Sequence, residues 1–171
     1  MRIGILSLWL ITLPVWAEDK VDTAKVEEQA RLVGKAFLDS DWAKMADLTY
    51  PKVVEMNGGR EKMIETVEKG MKRLKDQGYS FKKYTVATAQ IPVVDGKTIY
   101  VVVPTSLEIE GPTAKAITDS YLLAVSTDSG KTWTFADGAG IADPEKRKLV
   151  FPSLPAGLKL PDRKPPKVIK D

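Results

Sequence analysis

Asp95-Gly96-Lys97-Thr98-Ile99-Tyr100-Val101-Val102-Val103-Pro104-Thr105-Ser106-Leu107-Glu108-Ile109 is the stretch on which the fold turns. Asp-Gly is a strong hairpin signal, because glycine takes the positive φ that tight hairpin turns call for. The β-branched and aromatic run behind it predicts a long strand over Thr98 to Ile109. Pro104 lacks an N–H for the ladder and marks a bulge or bend. Downstream, Gly111-Pro112 turns the chain, Ala116 to Ser126 reads as a third strand, Asp128-Ser129-Gly130 as a turn and Lys131 to Ala136 as a fourth strand. Upstream, Tyr79 to Val94 is rich in aromatic and β-branched residues and supplies the first strand. The second half of the chain is therefore an antiparallel meander.

The first half has a different period. Val26, Ala30, Val33 and Phe37 recur at the spacing of one helix face, with Asp22 or Thr23 placed to cap its start. Ser40 or Asp41 opens a second, short helix with Trp42, Met45 and Ala46 inward. Tyr50-Pro51 stops it, since the residue before proline disfavours the helical region. Val53 and Val54 suggest a short strand over Lys52 to Met56, and Asn57-Gly58-Gly59 a turn. A third helix runs from about Arg60 to Gln77, with Met63, Ile64, Val67, Met71 and Leu74 on one face and Gly78 ending it. Three helices followed by a meander predict an α+β fold, not alternating α/β.

Both ends differ in composition from this domain. Met1-Arg2, the apolar run Ile3 to Leu13 and Val15-Trp16-Ala17 have the layout of a signal peptide, with cleavage expected before Glu18. The run is shorter than the roughly 20 residues a bilayer-spanning helix requires. Residues 1–17 are thus expected as signal peptide, 18–142 as the domain and 143–171 as a Pro-rich tail, with the mature protein periplasmic or secreted and without a membrane anchor. Six of the eleven prolines lie in that tail, so it cannot be helical or a central strand throughout. Leu149, Val150, Phe151, Leu154, Leu158 and Leu160 suit packing along the domain, while Pro161 to Asp171 is charged and expected to be mobile.

The chain contains neither cysteine nor histidine. That excludes Ser-His-Asp and Cys-His nucleophilic sites, disulfides, and thiolate or imidazole metal ligands, so no metal and no cofactor is implied. The 26 basic and 23 acidic residues are interleaved along the helices. This reads as a solvated surface and not as a nucleic-acid footprint.

Phe37-Leu38-Asp39-Ser40-Asp41-Trp42, then Met45-Ala46-Asp47-Leu48, then Gly58-Gly59-Arg60-Glu61 opening a helix ahead of a long-stranded meander, resembles the nuclear transport factor 2-like (SnoaL-like) superfamily. The resemblance covers about residues 22 to 142. It implies a bent sheet wrapped round a long helix, forming a cone whose mouth often holds a pocket. It leaves activity open, because the superfamily includes isomerases, dehydratases, transport factors and binding modules. Its isomerases and dehydratases use an Asp base with Tyr or Asp donors, which in this chain directs attention to Asp119, on the same strand face as Ile117, Tyr121, Leu123 and Val125. Tyr50, Tyr84, Tyr100, Asp119 and Tyr121 are the candidate pocket-lining residues; no residue is assigned as catalytic.

Ser126-Thr127-Asp128-Ser129-Gly130-Lys131-Thr132-Trp133 matches the Asp-box pattern SxDxGxTW of sialidases and other propellers. A single copy cannot build repeated blades, so it is read as a structural hairpin. Asn57-Gly58-Gly59-Arg60 and Asp137-Gly138-Ala139-Gly140 are read as turns and strand ends. The expected function is an exported, non-catalytic module binding a small apolar ligand or a protein partner, with a homodimer through the sheet as a further expectation. The alternative is a cofactor-free isomerase or dehydratase with an Asp-Tyr site in the cone.

Overall fold

The fold follows from two strands that pair over nearly their whole length. The computed structural model describes residues 21–169, so the expected signal peptide and its cleavage point lie outside the described residues. Thr98–Glu110 (β3) and Lys115–Ser126 (β4) run antiparallel from Ile99↔Ser126 to Glu110↔Lys115. Ser80–Val86 (β1) and Val93–Asp95 (β2) cover opposite ends of β3, the latter through the Asp95-Gly96 hairpin. Thr134–Asp137 (β5) and Lys167–Ile169 (β6) do the same along the far edge of β4. The result is a strongly curled antiparallel half-barrel.

Pro104 sits mid-strand without breaking the sheet. Its carbonyl accepts from the Ala87 N–H (2.9 Å), so its missing N–H faces the gap between β1 and β2, where no ladder bond is lost.

Among the described residues, four helices precede the sheet. Thr23–Leu38 (α1) is capped by the Asp22 carboxylate, which accepts from the Ala24 and Lys25 N–H groups at 3.1 and 3.4 Å. Trp42–Leu48 (α2) is capped by Asp41. Arg60–Asp76 (α4) starts after Gly58 and Gly59, both at positive φ, and buries Met63. Between them, Pro51–Met56 is a helix (α3) and not the expected strand. Pro51 occupies its first turn, where a missing N–H costs nothing and a fixed φ favours the helix. Among the described residues no strand pairs with Val53 or Val54.

The sheet is covered on both faces. On the inner face Val26 and Ala30 of α1 pack with Val101, Val103, Leu122, Ala124 and Phe135. On the outer face Tyr100, Val102, Leu123 and Val125 are covered by Ile141, by Val150 of Pro144–Val150 (α5), and by Phe151, with Leu154, Leu158 and Leu160 packed alongside. The first part of the tail therefore packs as expected, except that Leu149 is 61% exposed. The end differs from expectation: Lys167–Ile169 forms β6 against Lys115–Ile117. Once Pro165-Pro166 has passed, three residues with free N–H groups can pair with the open edge of β4.

Candidate functional site

Beyond the part of the outer face that Val150 and Phe151 cover, the sheet and the tail line a groove of ≈ 430 Å³. Its floor follows from strand register. Thr85, Ser106 and Asp119 form one cross-strand row, and Ala87, Pro104 and Tyr121 the row beside it. Its wall is Arg147 of α5 together with the tail from Leu160 to Lys164.

Two of the five candidate residues meet here. Asp119 is bound to the Lys167 ammonium at 2.8 Å, and its side chain is 35% exposed. That hydrogen bond, with the Lys164 charge behind it, holds the Asp119 carboxyl below the usual carboxylate range. Tyr121 is buried, and burial pushes its hydroxyl up while the Arg147 charge works against the shift. Its ring is held so closely over Gly138 that a β-carbon there would stand 2.6 Å from it. Only glycine fits at that position.

The remaining three tyrosines lie elsewhere. Tyr100 is buried in the outer-face core, and Tyr50 beside it stacks on Phe151 with ring centroids 4.8 Å apart. Burial pushes the Tyr100 hydroxyl up. Tyr84 falls on the inner face, level with Leu107, where its ring lies against Gly34 of α1. Its hydroxyl is pushed up to about 12 by burial, against a hydrogen bond with Thr105 and with a further rise from the nearby Asp137 charge.

Asp137 is a residue that sequence reasoning passed over as a strand end. Register with Leu122 puts it on the inner face, where its carboxylate accepts from the Ala139 N–H (3.0 Å) and the Ser120 hydroxyl (3.4 Å). Solvent reaches it, yet surrounding protein strips enough hydration to push its pKa up, although these hydrogen bonds and the Arg163 charge oppose the shift. The Asp137 charge is felt at the Tyr84 and Tyr121 hydroxyls, but among the described residues no hydrogen bond joins Asp137 to either. The other residues missed were Arg147, Arg163 and Lys164, which only the docking of the tail brings to the groove.

The Asp-box segment has no part in the groove. Asp128 accepts from Ser126 Oγ, Lys131 N, Thr132 N and Thr132 Oγ1, and Trp133 Nε1 donates to the Gly130 carbonyl. It is a self-contained turn. Among the described residues no Asp/Glu cluster could hold a metal ion, and no helix is long and apolar enough to cross a membrane. No family model matches the chain, and no curated protein matches it.

Proposed function

We propose that the protein is an exported, non-catalytic binding module of nuclear transport factor 2-like form that holds a small ligand in the outer-face groove. The helix-then-meander order and the curled sheet support the family form. The observation that carries the binding role is that the Pro-rich tail walls a groove instead of filling it, over a floor whose titratable groups suit holding and not proton transfer. Asp119 is already committed to Lys167 with its carboxyl held low, and Tyr121 has its hydroxyl pushed high. The volume is within the ~300–1,000 Å³ usual for small-molecule sites. Native mass spectrometry on protein purified from its exported compartment tests the reading. The expected result is an added mass that leaves on denaturation. A bare chain under the same conditions would overturn it and return attention to a protein partner.

Asp137 supports a second reading, an acid–base enzyme of the isomerase or dehydratase kind. It is a carboxyl raised by desolvation whose charge is felt at the Tyr84 hydroxyl, and such chemistry uses these two kinds of group. It ranks behind because a hydrogen bond with Thr105 already engages the Tyr84 hydroxyl. If it holds, Asp137→Asn abolishes turnover of a captured ligand; unchanged turnover would end it.

A further inference from the structure

The tail segment 143–171 carries eight basic residues against four acidic ones, so the whole positive excess of the chain sits in it. Three of those cations, Arg147, Arg163 and Lys164, border the groove. None of the three has a carboxylate within ion-pair distance among the described residues. Arg147 is the informative one. Its neighbours Lys146 and Lys148 stand in solvent, whereas Arg147 is half-buried against the groove. Its stem packs against the groove while its guanidinium has no carboxylate partner among the described residues, which leaves the fork open to an anion in the groove. The carboxylates nearby do not complete it: Asp119 is taken by Lys167, Asp162 lies beside Arg163 on the exposed tail, and Asp137, which feels the Arg163 charge, accepts from the Ala139 N–H and the Ser120 hydroxyl and forms no ion pair among the described residues.

The groove also offers apolar surface. Pro104 and the Tyr121 ring lie on its floor beside the polar row of Thr85, Ser106 and Asp119, and Leu160 lies on the wall with the cations. A ligand that satisfies both kinds of surface needs an acidic head for the guanidinium fork and an apolar body for the floor. We propose that the groove binds a small amphiphile with an anionic head, its head at Arg147 and Arg163 and its chain along Pro104, Tyr121 and Leu160. This rests on the groove being the binding site and adds the class of ligand it takes.

Chemical-shift titrations of the full chain with decanoate and with 1-decanol test the proposal, because the two probes share a chain and differ in the head. The expected result is shifts confined to groove residues, with decanoate bound about tenfold more tightly than decanol. That is the scale of one charge-assisted hydrogen bond. Arg147→Gln and Arg163→Gln should each erase that preference and leave decanol binding intact, and Arg147→Lys should retain part of it. A backbone spectrum otherwise unchanged confirms that each variant folds. Equal binding of the two probes in the groove would overturn the anionic class and leave the groove standing. No binding of either probe, or shifts elsewhere, would overturn both.

Discussion

Gly34 lies in the middle of α1, where glycine costs about 1 kcal/mol relative to alanine. It is tolerated because a β-carbon there would stand 2.2 Å from Cδ1 of Tyr84. Gly34→Ala should therefore lower stability by about 1–2 kcal/mol, overpacking outweighing the gain in helix propensity. The sign should reverse in a Tyr84→Ala background, where only the propensity gain remains; urea midpoints for the four variants of this cycle decide it. Asp137 makes a prediction of opposite kind. Its folded pKa is raised, so the native state holds the proton more readily than the unfolded chain, and ionisation removes stability as pH rises through the folded value. Asp137→Asn keeps an acceptor for the Ala139 N–H and removes the charge. The variant should melt higher than the parent at pH 7, with the advantage fading as pH falls through the carboxylate range. Neither residue was legible as such in the sequence. Gly34 reads as a weak helix position until the Tyr84 ring is placed over it, and Asp137 reads as a turn residue until the fold brings Ser120 and the Ala139 N–H to its carboxylate.

At the scale of the element, the Asp-box hairpin was the most legible part of the chain, because its hydrogen bonds close within eight residues. Four donors converge on Asp128, and they hold its carboxyl at about 2, well below the ordinary 3.8. A lowered pKa means that the stabilisation is complete above the unfolded value and is lost as pH falls towards about 2. Amide exchange should show residues 127–133 losing protection within that acid window, ahead of the neighbouring part of β4. Asp128→Ala should abolish the same protection at neutral pH. The long strands were legible for a similar reason, since alternation and Asp95-Gly96 are local signals. α3 was not, because a valine pair favours a strand only where a partner is available, and only the fold reveals that none is. β6 was not legible either. Its three residues carry no pattern of their own, and they pair only because β5 stops at Asp137 and leaves the far end of β4 open.

On the scale of the whole molecule, the tail acts as a second cover for the sheet. Without it, Tyr100, Val102, Leu123 and Val125 would present an apolar face to water. Pro144 opens α5, and Pro152 and Pro155 keep the chain after Phe151 out of further helix, so that Leu154, Leu158 and Leu160 reach the sheet from an irregular segment. Phe151 is 5% exposed and stacked on Tyr50, so Phe151→Ala should cost about 3–5 kcal/mol in denaturant unfolding. The same geometry bears on assembly. A homodimer through the outer sheet face would need the surface that α5 and Phe151 occupy, and intramolecular docking has the advantage of high effective concentration. Light scattering should therefore find the full chain monomeric, and a chain ending at Ala142 associated or aggregated through the uncovered face. A chain ending at Leu160 separates the two roles of the tail. It keeps Val150, Phe151, Leu154 and Leu158 on the sheet but removes Arg163, Lys164 and β6. It should stay monomeric and folded while losing the decanoate preference. If instead it aggregates, the last eleven residues are needed to hold the tail down, and the groove wall and the cover are one cooperative unit.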